Sequence, residues 1–191
     1  MFDPHNWQLT TERLRLRGAH TGDGSLLNAA ICESLGELQP WMPWARSAPT
    51  LKESVEYAHS CAEKFQRGES LEARIWTHEG TFVGCIGLRP SNLEVPSFNI
   101  GYWCHSRYAA QGYTTEATQA LAAYALTELR AQRVELYCDV RNRGSRRVAE
   151  KSGFTLEAVL HNEARDTAGH LCDACLYARF PPESKKGIDT P

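Results

Sequence analysis

Leu14 and Leu16 are interleaved with Arg13, Arg15 and Arg17, and this two-residue period predicts a first strand from Leu9 to Arg17 with one face buried. A helix is expected from Asp23 to about Ser34. A second should start after Thr50, whose hydroxyl can cap it, with Glu53 three residues on completing a capping box. Val55, Ala58, Ala62 and Phe65 then fall on one helical face, and Gly68 supplies the stop. Two strands follow, Leu71 to Thr77 and Thr81 to Leu88, joined by His78-Glu79-Gly80 as a tight turn. Phe98 to Cys104 is a further strand. A long helix is expected from near Thr114 to about Leu129, with Ala117, Leu121, Tyr124 and Ala125 on one face. Val134, Leu136, Cys138 and Val140 alternate through another strand. Ser145 to Ser152 reads as a short helix closed by Gly153, and Phe154 to Val159 and Leu171 to Phe180 supply two last strands.

That order predicts an α+β (mixed α/β) fold, a single layer of sheet covered by helices. No repeat or linker interrupts it, so residues 1–180 read as a single domain and residues 181–191 as a loose C-terminal tail. A length of 191 residues suits one domain with a sizeable core, and 42% hydrophobic with 23% charged residues excludes wholesale disorder. A net charge of −2 gives no electrostatic reason to expect nucleic acid or an anionic membrane as partner. No apolar run is long enough to span a bilayer, and the start lacks the basic-then-apolar pattern of a signal peptide, so a soluble, cytoplasmic protein is expected. Seven cysteines, an odd number, argue against a disulfide framework. Cys172 and Cys175 form one C-x-x-C, but no second pair completes four ligands, and both sit in a predicted strand where thiols pack as small apolar groups. No metal is expected.

The most informative stretch is Ile100-Gly101-Tyr102-Trp103, followed by Arg107-Tyr108-Ala109-Ala110-Gln111-Gly112-Tyr113-Thr114-Thr115-Glu116-Ala117. It is a strand, a small-residue loop and a helix start. Such a loop lets backbone N–H groups converge where the helix dipole favours a phosphate; a plain turn is the alternative for one glycine taken alone. Downstream lie Asn142-Arg143-Gly144-Ser145 and Val148-Ala149-Glu150-Lys151-Ser152-Gly153-Phe154, where Asn142 and Ser145 could also be ordinary helix caps. Upstream is Leu38-Gln39-Pro40-Trp41-Met42-Pro43-Trp44.

Together these segments resemble the GNAT family of N-acetyltransferases, in its RimJ/RimL ribosomal-protein branch. The resemblance runs from about residue 8 to residue 180 and includes Asp166, Gly169, Asp173 and Tyr177 near the C-terminus. It departs at Ala109, Ala110 and Thr114 of the loop. It implies one mostly antiparallel, twisted sheet of about seven strands, flanked by about four helices and splayed between its central strands. It also implies acetyl-CoA as co-substrate, held by Tyr102, Trp103 and Cys104 on the splayed strand, by Ala109, Ala110, Gln111, Gly112, Tyr113 and Thr114 around the pyrophosphate, and by Asn142 and Ser145. Ser145 would protonate or hydrogen-bond the leaving sulfur. Trp41, Trp44 and Asn99 would line the acceptor site, although the tryptophans could equally anchor a loop on the core. Many relatives carry a Glu where this chain has Asn99, so the general base stays open between Glu163, His105 and a water chain.

The activity implied is acetyl transfer to an amine by direct attack on the thioester, with a protein or peptide α-amine as the acceptor. Two alternatives stand beside it: a small-molecule amine acetyltransferase and a non-catalytic acyl-CoA sensor. A carboxylate-rich acceptor groove would favour a polycationic small molecule, and none is visible between Trp41 and Pro49. Whether the chain pairs as a homodimer is left open.

Overall fold

The computed structural model describes residues 2–4, 7–92 and 94–182. Most of the predicted tail therefore lies outside the described residues. Eight strands form one sheet in the order β1-β2-β3-β4-β5-β6-β8-β7. They are β1 (Gln8–Thr10), β2 (Leu14–Gly18), β3 (Leu71–Thr77), β4 (Phe82–Asn92), β5 (Ser97–Cys104), β6 (Arg133–Asp139), β7 (Thr155–Arg165) and β8 (Leu171–Arg179). Helices α1 (Gly24–Glu33), α2 (Leu35–Leu38) and α3 (Leu51–Gln66) follow β2; α4 (Tyr113–Thr127) follows β5 and α5 (Arg143–Lys151) follows β6. The sheet gains a strand over expectation because the first predicted strand is two. The amide of Thr11 donates to the Leu14 carbonyl (2.9 Å), folding the chain so that Leu9 pairs with Leu16. The fifth helix is the short α2.

Local chemistry explains the boundaries. α3 starts at the expected capping box: the Glu53 amide donates to Thr50 Oγ1 (3.2 Å) and the Thr50 amide to Glu53 Oε2 (2.8 Å). Both faces of the sheet are covered. Leu14, Leu16, Ile75, Ile86, Ile100, Leu136 and Tyr177 form one core with Leu121 of α4, while Phe82 and Cys85 form another with Leu27, Ile31 and Ala58 of α1 and α3. A fully buried leucine such as Leu121 contributes about 1.5–3 kcal/mol. Cys172 and Cys175 are both buried on β8; three residues apart, they point to opposite faces of the sheet and cannot share a ligand.

One irregularity positions everything that follows. β5 and β6 are parallel neighbours only over Ser97 to Asn99 against Arg133 to Glu135. Beyond that point β5 stays bonded to β4 and β6 to β8, but the two strands no longer bond each other. The inner edges of Ile100–Cys104 and Leu136–Asp139 therefore present backbone N–H and C=O groups to a wedge between them.

Candidate active site

The wedge is closed at one end by helix starts. β5 leads through Ala109 and Ala110 into Gly112, the N-cap of α4, and both Ala110 (φ 61°) and Gly112 (φ 84°) adopt left-handed backbone. At Gly112 only glycine does this without strain; at Ala110 the loop carries a strained alanine. This alternation turns successive amides inward. Among the described residues the amides of Ala110, Gln111, Gly112, Tyr113, Thr114 and Thr115 donate to no protein acceptor. Six free N–H groups at the positive end of a helix are an anion cradle.

Across the wedge, Asn142 caps α5 by accepting from the Ser145 amide (3.0 Å). That cap holds the Ser145 hydroxyl against the Tyr102 hydroxyl of β5, the two oxygens 2.8 Å apart. Burial pushes the Tyr102 phenol well above its ordinary range, with the Ser145 hydrogen bond only partly offsetting it, so this pair stays protonated at neutral pH. Cys138 of β6 bonds to the same Ser145, and burial raises its thiol to about 11. Burial likewise raises Cys104, although Thr114 bonds to it. Both thiols are therefore poor nucleophiles.

Beyond Cys138 opens a cavity of about 480 Å³ whose walls include Trp41, Asn99, Tyr137, Cys138, Asp139, Glu163, Asp166 and Asp173. Its carboxylates come from β6, β7, the β7–β8 turn and β8; the Trp41–Pro49 loop supplies none, as its sequence shows. Most already have hydrogen-bond or ion-pair partners. The Arg141 guanidinium bonds Asp139 (2.6 Å) and holds it below the usual carboxylate range. Burial would raise Asp166, but the His170 amide bond and charge outweigh it, and Arg141 lies 3.6 Å away. Asp173 accepts from the Asn162 amide and from His161, each at 2.9 Å, and is held low by them. Glu163 makes no hydrogen bond or ion pair among the described residues. It sits at the end of a bulge in which His161, Asn162 and Glu163 oppose Asp173 alone, with Asn162 left-handed (φ 55°).

The other predicted site residues divide clearly. Tyr102 and Cys104 join Ser145, Asn142, Cys138 and the loop around the wedge. The Trp103 side chain leaves it, packing with Trp44 (6.3 Å) and Phe82 (5.9 Å) on the second core, so only its backbone faces the gap. Trp44 stays half exposed beside Trp103 and does not line the cavity, whereas Trp41 does. His105 is drawn away: its Nε2 pairs with Glu33 at the end of α1 (3.1 Å), and it does not line the cavity. Sequence reasoning missed Tyr137 and Asp139, which lie off the alternating set of β6, and placed Cys138 in that set without assigning it to the site. It also missed Arg13, whose Nε bonds Glu116 (2.6 Å), whose Nη1 bonds the Gln111 carbonyl (3.1 Å), and whose guanidinium lies over the Tyr113 ring (4.7 Å).

The family model for the acetyltransferase (GNAT) domain matches residues 13–155. The chain belongs to the GNAT acetyltransferase family. The ribosomal-protein-serine acetyltransferase of Escherichia coli (strain K12) is 26% identical over 175 residues, covering 89% of this chain and 94% of that protein. RimL, a ribosomal L7/L12 α-N-protein acetyltransferase solved with coenzyme A disulfide-bonded to one of its own cysteines, superposes with a TM-score of 0.84 at 22% identity, over 92% of this chain and 98% of that one. The microcin C7 self-immunity acetyltransferase MccE, solved with acetyl-CoA and AMP, gives a TM-score of 0.82 at 21% identity, over 89% and 93%. The mostly antiparallel sheet flanked by helices matches what that family implies, with one strand and one short helix more than expected.

Proposed function

We propose that the protein transfers the acetyl group of acetyl-CoA to the α-amine at the N-terminus of a protein or peptide, in the cytoplasm, by direct attack on the thioester. The observation that carries this reading is the continuity of three features: the free amides of residues 110–115, the Tyr102–Ser145 hydroxyl pair, and the cavity holding unpaired Glu163. The amide loop suits the pyrophosphate. The unpaired inner edges of β5 and β6 suit the amide-bearing arm, whose N–H and C=O groups can bond like an added strand. The thioester then lies by Ser145.

Chemistry follows from that placement. The neutral amine attacks the thioester carbon, forming a C–N bond, and a wedge amide can bond the developing oxyanion. Glu163 takes the proton that the nitrogen sheds, directly or through water. The C–S bond breaks as the Ser145 hydroxyl, backed by Tyr102, donates a hydrogen bond to the departing sulfur; the thiolate takes a proton from solvent, and Glu163 returns its proton to solvent. Holding both reactants in one cleft removes much of the association entropy. The acceptor assignment rests on the ribosomal-protein relatives and on a cavity whose single unpaired carboxylate suits one amine rather than a polycation. MccE supports the runner-up, a small-molecule acceptor.

Because burial keeps Cys138 and Cys104 as thiols, no acetyl-cysteine intermediate is expected. Initial-velocity kinetics with acetyl-CoA and a peptide should give intersecting reciprocal plots, and Cys138→Ala should retain kcat within about threefold, the cost of a small packing change. Parallel plots, or loss of activity in Cys138→Ala, would mean a covalent intermediate and overturn direct transfer.

A further inference from the structure

The carboxylates of the acceptor cavity are mostly satisfied within the protein, and what they leave over has a definite charge pattern. Asp139 is bonded by Arg141, Asp166 by the Ala168 and His170 amides, and Asp173 by His161 and the Asn162 amide. Glu163 has no such partner among the described residues. The same wall carries one cation among the described residues, Arg165. Its guanidinium makes a single hydrogen bond there, from Nη1 to the Gly169 carbonyl (2.6 Å), and no ion pair.

That bond fixes the guanidinium without using it up. Gly169 is left-handed (φ 89°) and lies in a turn closed by its own amide on the Asp166 carbonyl (2.9 Å) and by the Asp166 amide on the His170 carbonyl (2.9 Å). Anchored on this turn by one nitrogen, the fork keeps Nε and Nη2 as donors for a planar carboxylate. Glu163 and Arg165 are two residues apart on β7, so their Cα atoms stand about 6.5 Å apart along the strand. An anion and a cation left open at that separation complement a molecule with an amine and, about one residue further on, a carboxylate.

We propose that Arg165 selects the acceptor by its second residue, binding an aspartate or glutamate carboxylate there while the α-amine meets Glu163. The inference rests on the peptide acceptor proposed above. With the α-nitrogen at Glu163, the second side chain starts about one residue of backbone away, 3.3–3.6 Å, and its own length covers the rest of the gap. A carboxylate on the first residue would instead sit beside the amine and face Glu163, a like charge. A solvated hairpin arginine would show the same sequence, but it would not stand on the acceptor cavity beside the carboxylate left unpaired there.

The test is initial-rate kinetics of the full chain with three peptides that begin Ser-Glu, Ser-Gln or Ser-Lys and are otherwise identical. Wild type should prefer Glu over Gln by about three- to fivefold in kcat/KM, the worth of one exposed ion pair, with Lys the poorest. The difference should appear in KM, since Arg165 touches no reacting atom, and should shrink as salt is raised. Arg165→Gln should bring the Glu-to-Gln ratio close to one with little change on the Gln peptide, and Arg165→Glu should make Lys the preferred residue. The wild-type preference is read on the unaltered chain, so the test stands even where a variant fails to fold. Indifference of wild type to the second residue, or a Glu preference that survives in Arg165→Gln, overturns the proposal while leaving the peptide reading intact. If wild type turns over no peptide at all, the acceptor reading falls and this one falls with it.

Discussion

Replacing Glu163 by Gln should lower kcat/KM for a peptide acceptor by roughly 100-fold or more, within the usual range for removing a general base. The change is isosteric, and Glu163 bonds to nothing among the described residues, so folding should be unaffected. Coenzyme affinity should also persist, because the amide cradle belongs to other elements. Only the carboxylate's capacity to take a proton is lost. His105→Gln provides the contrast, since the His105 ring pairs with Glu33 outside the acceptor cavity. It should fall by less than about threefold. In Glu163→Gln the residual rate should follow deprotonation of the acceptor amine near its ordinary pKa of about 7.7–8.0. A loss below about threefold in Glu163→Gln, with a large loss in His105→Gln, would place the base on the other side of β5.

The second large effect concerns stability. Arg74 on β3 is fully buried, and its Nε donates to Asp23 Oδ2 (3.0 Å). Asp23 is also bonded by Arg17 Nη2 (2.5 Å) and by the His20 amide (2.9 Å). Burial alone would raise the Asp23 carboxyl, but these bonds and the two guanidinium charges outweigh it and hold the group below its usual range. Asp23→Ala leaves a buried guanidinium with only the Glu72 carboxylate, 3.5 Å from its Nη1, as counter-charge, and its Nη1 and Nη2 already lack hydrogen-bond partners among the described residues. Removing one partner of a buried pair costs about 3–5 kcal/mol, a large share of the roughly 5–15 kcal/mol that holds a domain folded. Urea unfolding should therefore shift steeply in Asp23→Ala and partly recover in Asp23→Ala/Arg74→Met. Since the folded Asp23 pKa is depressed, its contribution is present above the unfolded value near 3.9 and is lost as pH falls below it. A cost under about 1 kcal/mol, or no recovery in the double variant, would show that the network carries no weight.

Arg74 also marks where sequence reasoning stops. Alternation places Leu14, Leu16 and the β4 and β5 apolar residues correctly, because each faces a core whatever its neighbours are. It cannot place an arginine inside, because burial there depends on Asp23, 51 residues away in sequence. The capping box at Thr50 and the Gly112 helix start were legible, both being local. β7 was not. It runs to Arg165, past the expected end at Val159, because the bulge at His161–Glu163 interrupts the two-residue period. The acceptor cavity was illegible for a related reason: Asn99, Tyr137, Glu163 and Trp41 meet only once β6 and the β7–β8 hairpin are set beside β5. Spacing along the chain carries no trace of that meeting.

The most direct measurement is thiol release from acetyl-CoA by the purified chain. Acceptors would be peptides with free N-terminal Ser, Ala or Met, alongside aminoglycosides and polyamines. The account predicts release with peptides and not with the small polycations, and an acetyl group on the peptide α-amine by mass spectrometry. Turnover of the small amines alone would move the acceptor to the runner-up class. Coenzyme binding without turnover of any amine in the panel would contradict the account, leaving a sensor on an acetyltransferase fold.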